Sequence, residues 1–320
     1  MSAKPIHSAG VPQGTSAGLG GNVAALWGSA GVVDVALPTD KLLISRVHDV
    51  DHRPVVLVNC GSFNPPTIMH LRMFDVAAQV LRKAGRDVLG GYMSPVNDAY
   101  HKPGLLPAHH RIAMCQRAVA ESDIAMVDTW EAAQPDAQRS LVVLDRVQQA
   151  VQRHYDNATA AGPDQHQCDQ QANGKAKHSS DHRLDERPQT AETPCNNLAA
   201  LGNVQQQHPK SQVKAVLVCG ADVLESFIKP GVWVEEQVRR ILGDHGVVCI
   251  ARNSQGLDGL LQKPGTLISE YREHIHVTQD PATAGISSTH IRHELGQGNT
   301  VKFLTPNKVV EYIQQQKLFV

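Results

Sequence analysis

Val55-Val56-Leu57-Val58-Asn59-Cys60-Gly61-Ser62-Phe63-Asn64-Pro65-Pro66-Thr67-Ile68-Met69-His70 changes character twice along its length. A valine-rich run gives way to a glycine-led turn with two prolines, and the turn gives way to a helix start. The apolar run Val55–Asn59 reads as a buried parallel strand. His70–Lys83 then sets Leu71, Phe74, Ala78 and Leu81 on one helical face and stops at Gly85. A tight turn that delivers backbone N–H groups, followed by a helix N-terminus, is a ready-made anion site. Gly61 would let a phosphate approach the backbone closely, and His70 in the first turn is placed to donate to the same anion. Glycine and asparagine alone read as an ordinary capped turn. The full string 61–70 is far more specific.

The alternation continues outward from this stretch. Val88–Met93 reads as strand, Arg111–Glu121 as helix, Ile124–Val127 as strand and Arg139–Arg153 as helix. Ala215–Cys219 reads as strand, a helix begins at Asp222–Phe227, and Val234–Leu242 is helical. Val247–Ala251 and Ile275–Val277 read as strands, and Ser288–Leu295 and Asn307–Lys317 as closing helices. This order predicts an α/β fold whose parallel sheet is covered by helices on both faces. Ligands in such folds bind at the carboxyl ends of the strands.

Two segments fall outside the pattern. Residues 157–212 are dominated by Gln, Asn, His, Asp, Lys, Ser and Pro. They hold too little apolar surface to offset their ordering entropy, which predicts a disordered insert. Residues 1–50 are rich in Gly, Ala and Ser and read as a disordered extension. Residues 51–320 are then one domain interrupted by the insert.

With 30 Lys plus Arg against 31 Asp plus Glu, the 320-residue chain has no global basic field to hold nucleic acid or anionic lipid. No apolar run is long enough to span a membrane, so neither class of partner is expected. Cys60, Cys219 and Cys249 sit inside apolar runs and read as buried thiols in a reducing compartment, cytoplasmic or nuclear. The spacing of the 17 histidines gives no metal-site pattern, so no protein metal site is expected. Homo-oligomerisation is left open.

Further motifs fall where the strands end. Ile286-Ser287-Ser288-Thr289-His290-Ile291-Arg292 opens a helix. Its hydroxyls can simply cap, or its free N–H groups and Arg292 can hold a second phosphate. Lys102, in the loop after the second strand, is a candidate phosphate contact or a solvated lysine. Asp222, in Cys219-Gly220-Ala221-Asp222, can cap a helix or accept ribose hydroxyls. Trp130 and Trp233, taken singly, read better as core than as stacking surfaces.

Together GSFNPPTIMHLRMF, GGYMSPVNDAYHKPGLLPAHHR, VDTWEA, VCGADVLESF, GVVCIARN and GISSTHIR resemble, in order, the eukaryotic nicotinamide mononucleotide adenylyltransferases, in their green-plant form above all. The resemblance covers about residues 52–153 and 213–319. It implies a Rossmann-like nucleotidyltransferase fold. It also implies transfer of AMP from ATP to nicotinamide or nicotinic acid mononucleotide, giving NAD or its deamido form and pyrophosphate, with Mg²⁺ accompanying ATP. Carried over by motif, Gly61, Ser62 and Phe63 would line ATP through the backbone, with His70 and Lys102 on its phosphates. Gly220 and Asp222 would hold the adenosine ribose, and Ser288, Thr289 and Arg292 the phosphates. His70, Lys102 and Arg292 would be the catalytic contacts. Trp233 would stack on the pyridine ring, with Ser140, Val232, Arg252 and Asp280 around the mononucleotide.

Two positions depart from the family pattern. Ala137 stands where a second aromatic wall for the pyridine is expected, with Trp130 a candidate to fill in. Ala284-Gly285 stands where animal members carry polar residues. The rival readings are a pantetheine-phosphate or glycerol-phosphate nucleotidyltransferase, and a chaperone-like protein that kept the fold without catalysis. SPVNDAY, DTWEA and GADVLESF favour the mononucleotide enzyme over the first, and the retained His70, Lys102 and Arg292 disfavour the second.

Overall fold

The computed structural model describes residues 33–44, 53–160, 211–251, 257–280 and 285–320. Six strands, β1 (Pro54–Gly61), β2 (Asp87–Pro95), β3 (Ala125–Val127), β4 (Lys214–Gly220), β5 (Val247–Ala251) and β6 (Ile275–Gln279), form one sheet in the order β3-β2-β1-β4-β5-β6. Every pairing is parallel. This is the doubly wound order, and its switch point lies between β1 and β4.

The helices are α1 (Ile68–Lys83), α2 (Ala108–Ala118), α3 (Trp130–Ala133), α4 (Ser140–Ala160), α5 (Ala221–Ser226), α6 (Glu235–Arg240), α7 (Leu257–Gln262), α8 (Leu267–Glu270), α9 (Ser288–Gly296) and α10 (Asn307–Gln315). Side chains alternate across β1, as a pleated strand requires. Val56 and Val58 join Leu144, Val147 and Val151 of α4 on one face. Val55 and Leu57 join Phe74, Ala78 and Leu81 of α1 on the other. Both faces are buried, which is why these strands read as continuous apolar runs. Each buried Val or Leu contributes about 1.5–3 kcal/mol. A smaller cluster packs α10 on α2 through Val309 and Ile313 against Met114 and Ala118.

The structure moves some expected boundaries. Residues 33–44, expected within a disordered extension, run along the sheet. The Leu43 N–H donates to Leu89 O at 2.7 Å, and Lys41 Nζ donates to the carbonyls of Val119, Ser122 and Ala125. Val35, Leu37, Leu42 and Ile44 of this stretch pack against the core, but they are too few and too irregularly spaced to show a strand or helix period in the sequence. Residues 157–160, expected in the insert, complete α4. Residues 211–212, also expected in the insert, lead into β4, and residues 1–32, 45–50 and 161–210 lie outside the described residues. Helix α6 is shorter than expected because Ile241–His245 widens into a π turn before Gly246, which has φ 81°.

Candidate active site

The turn after β1 lies at the switch point. Phe63 has φ 45° and is 2 % exposed. Its ring lies against Gly61, where an added Cβ would come within 3.2 Å of it. Glycine at 61 is therefore required first by the phenyl ring beneath the turn, and only then by anything approaching from outside. The backbone N–H groups of Ser62 and Phe63 have no partner among the described residues. Phe63 also sits edge-on to His70, with ring centroids 5.1 Å apart.

Thr67 caps α1 in a reciprocal box. Its Oγ1 accepts from the His70 N–H, and its own N–H donates to His70 Nδ1 at 2.9 Å. A backbone N–H can only donate, so Nδ1 is the unprotonated nitrogen and the neutral ring carries its proton on Nε2. The cap thus fixes the ring's tautomer as well as its orientation.

The ISSTHIR segment docks directly on this turn. Ser288 Oγ donates to Pro65 O at 2.7 Å, and Arg292 Nη1 donates to Asn64 O at 2.8 Å. Ser287 is the N-cap of α9, accepting from the His290 N–H, so the N–H groups of Ser288 and Thr289 are left without a described partner. Arg292 Nη2 reaches Thr289 Oγ1 at 3.4 Å. The two expected anion sites therefore form one surface, made from elements more than two hundred residues apart in sequence. Thr305 Oγ1 adds a third brace to Pro66 O at 2.8 Å.

Lys102 lies exposed on the loop after β2. Asn64 clamps that loop, donating from Nδ2 to Gly104 O at 2.7 Å and accepting from the Leu106 N–H at 3.3 Å. Arg111, 0 % exposed, underlies both loops. It donates from Nε to Leu106 O, from Nη1 to Ser62 O, and from Nη2 to Val96 O and Asp98 Oδ1. Nothing in the sequence marked this arginine apart from its place at the end of the PAHHR string, because three of its four acceptors are carbonyls and carbonyls have no sequence signature.

On the β4 side, Gly220 precedes α5, and the Asp222 carboxylate folds back to within 2.8 Å of where a Cβ on Gly220 would sit. Asp222 is exposed and makes no side-chain cap, so it stands clear at the carboxyl end of β4. Val232 is exposed. Trp233 is half-buried, edge-on to Phe227 at 4.9 Å, with its indole N–H donating to Ser226 Oγ at 2.9 Å. Asp280 is 3 % exposed and paired bidentately with Arg72, which the sequence reading missed. Any contact it makes to a ligand is therefore shared with that guanidinium. Arg252 and Ala284 lie outside the described residues.

Trp130 does not fill in for the missing aromatic at 137. It is 3 % exposed, packed in the core with the Arg146 guanidinium 5.1 Å over its ring. Beside it, burial pushes the Glu131 carboxyl up to about 8, opposed by the Ser94 hydroxyl that donates to it at 3.1 Å. Burial likewise raises Asp128, which Arg146 holds in an ion pair. Ser140 opens α4 near the buried Cys60 thiol, which burial and the charges of Glu131 and Asp128 push well above its ordinary value.

Two facing phosphate-type turns at the switch point of this sheet define an α/β nucleotide-handling protein, and the cytidylyltransferase-like family matches residues 58–294. The nicotinamide/nicotinic acid mononucleotide adenylyltransferase of Arabidopsis thaliana is 37% identical over 289 residues, covering 90% of this chain and 98% of its own. The enzyme of that name numbered 1 in Bos taurus is 34% identical, covering 83% and 88%. Nicotinic acid mononucleotide adenylyltransferase of Plasmodium falciparum, complexed with NaAD, shares the fold at TM-score 0.52 and 13% identity, over 83% of this chain and 98% of that one. The chain belongs to the nicotinamide/nicotinic acid mononucleotide adenylyltransferases, as the sequence motifs implied.

Proposed function

We propose that this chain transfers the AMP moiety of ATP to nicotinamide or nicotinic acid mononucleotide, releasing pyrophosphate. The 5′-phosphate oxygen of the mononucleotide forms a bond to the α-phosphorus of ATP as the bond from that phosphorus to the bridging oxygen breaks. The attacking oxygen is already anionic near neutral pH, so no strong base is needed. The barrier is the approach of two anions and the charge on the transferring group, and positioning with preorganised donors lowers both terms.

The observation that carries this reading is the docking of Ser288 and Arg292 on the Pro65 and Asn64 carbonyls. It sets the Ser62 and Phe63 N–H groups, His70, the start of α9 and Arg292 around one space. His70 donates from Nε2 to a phosphate oxygen, Arg292 and Lys102 supply fixed positive charge, and Asp222 accepts from the adenosine ribose. Val232, Trp233, Ser140 and the Asp280–Arg72 pair would line the mononucleotide side, where the family pattern also assigns Arg252.

Among the described residues no group of three His, Cys, Asp or Glu side chains converges as a metal cage. Mg²⁺ would accompany ATP, held by its phosphate oxygens and water, where it neutralises phosphate charge. Purified chain should form NAD from nicotinamide mononucleotide only when ATP is supplied. Absence of NAD from well-folded protein overturns the reading.

No helix among the described residues is long and apolar enough to cross a membrane. The four free, largely buried thiols among the described residues support a reducing compartment, cytoplasmic or nuclear, which cell fractionation checks. The chain leaves α4 and returns beside it, with Gln152 Oε1 accepting from the Val213 N–H at 2.6 Å. Replacing residues 161–210 with a short flexible linker should therefore preserve activity and thermal midpoint. Loss of either would make that stretch part of the working domain.

A further inference from the structure

The opposite end of the sheet carries a second cluster of cations. Arg53, Arg86 and Lys214 stand at the amino ends of three adjacent strands, β1, β2 and β4, because Pro54 pairs with Asp87 and Val55 with Lys214. They line a cleft of about 610 Å³. Asp145, Asp244, Arg240 and His245 form its other side.

The charges of that other side are already used. Arg240 pairs with Asp145 and Asp244 at 3.0 and 3.2 Å, and His245 Nε2 lies 3.0 Å from Asp145 Oδ1. The guanidinium groups of Arg53 and Arg86 donate to no described partner, and among the described residues Lys214 Nζ reaches only Gly243 O at 3.2 Å. His245 is 1 % exposed, and its Nδ1 has no hydrogen-bond partner among the described residues. The cleft therefore holds two positive charges in excess.

Like charges are kept together here at a cost. Burial, and then the charge of Arg86, lower the Lys214 ammonium below its ordinary value, and the same two causes lower His276. Cations do favour helix C-termini. However, the last carbonyls of α1 are already taken by the N–H groups of Ala84, Gly85 and Arg86, so the Arg86 guanidinium is not needed there.

We propose that this cleft is an anion site distinct from the active site, and that it takes a diphosphate group, either free pyrophosphate or the phosphate tail of a nucleoside diphosphate. Neighbouring strands lie about 4.8 Å apart, so the three cations span roughly 10 Å. An elongated, multiply charged oxyanion bridges that span better than a single phosphate does. The eight residues of β1 separate the two sites by roughly 25 Å.

The test is calorimetric titration of pyrophosphate into His70→Ala/Arg292→Ala protein, whose active site has lost two of its three phosphate-facing side chains. One pyrophosphate should still bind per chain, more weakly as salt rises. Adding Arg53→Gln and Arg86→Gln should weaken it by at least about tenfold. ADP in a parallel titration separates the sources: equal affinity assigns the phosphate pair alone, and tighter binding assigns a nucleotide. No binding, or binding indifferent to Arg53 and Arg86, overturns the proposal. Should the His70/Arg292 variant not fold, acylation of Lys214 in the unaltered chain gives the answer. Pyrophosphate should slow it several-fold, and not in the Arg53→Gln/Arg86→Gln protein; unchanged acylation in the unaltered chain overturns the site.

Discussion

On the β1 side of the switch point, the carbonyls of Asn64, Pro65 and Pro66 are each held by a side chain, from Arg292, Ser288 and Thr305. Around Trp233, one hydrogen bond to Ser226 and one edge contact to Phe227 fix the ring, between exposed Val232 and Val234. The proposed phosphate wall is braced by three side chains from two segments, α9 and the stretch before α10, and the proposed pyridine wall is held from one. That difference fits the roles proposed for the two walls. Phosphate charge is stabilised best by donors that need no rearrangement, whereas a wall that takes two pyridine rings, amide or acid, needs a face more than a lattice of donors.

The brace that should matter most is Arg111. Replacing it by alanine removes a buried charge and strips donors from the Ser62, Val96 and Leu106 carbonyls. We expect a loss of roughly 3–5 kcal/mol, read from denaturant midpoints. Arg111→Lys should recover only part of it, because one ammonium cannot serve carbonyls on separate loops. A loss below about 1 kcal/mol, the scale of one ordinary hydrogen bond, would show that the two loops do not depend on this residue.

His70 comes next. His70→Ala should cut kcat by about 10²–10³, as loss of one preorganised donor does. It should also cost about 1 kcal/mol of stability, because the Thr67 box loses its reciprocal half. Unchanged kcat in folded protein would remove the histidine from the phosphate wall.

Glu131 separates the walls by pH. Its folded value of about 8 lies above the ordinary 4.5, so the folded chain keeps a proton that the unfolded chain releases. Its contribution is fully present below about 4.5 and is lost as pH rises toward 8. The loss is about 1.4 kcal/mol for each pKa unit. Glu131→Gln should flatten this fall, the variant gaining on the parent steadily between those limits. Parallel stability curves for the two proteins would show that the carboxyl does not stay protonated when buried.

The difference between the walls also explains what the sequence disclosed. The alternation of parallel strands and helices and the two turns at strand ends were legible, because buried parallel strands and helix starts use few residue types in fixed periods. Arg111, the Arg72–Asp280 pair and the Thr67 N–H to His70 Nδ1 bond were not, because each joins groups whose proximity only the folded chain creates. Gly61 was legible for an incomplete reason: its sequence reading pointed outward to a phosphate, and the structure adds the Phe63 ring beneath it. Helices α7 and α8 were missed, since each has six residues or fewer and no period can show over so short a length.

The smallest effects belong to the looser wall. Stacking of an aromatic side chain on a base is worth roughly 1–3 kcal/mol. Trp233→Ala should therefore raise KM for the mononucleotide about ten- to a hundredfold and spare KM for ATP. The indole also packs on Phe227, so the thermal midpoint will fall whether or not it touches substrate. Only the split between the two KM values distinguishes stacking from packing. Trp233→Phe should restore most of the mononucleotide KM, because it keeps a ring face while losing the bond to Ser226. Ala137 is exposed, so a larger side chain there meets solvent before it meets the core. Ala137→Trp should lower the mononucleotide KM by less than Trp233→Ala raises it, because Pro135 restricts the backbone that must aim the new ring. Equal damage to both KM values in Trp233→Ala, together with no response to Ala137→Trp, would move the pyridine ring away from this wall.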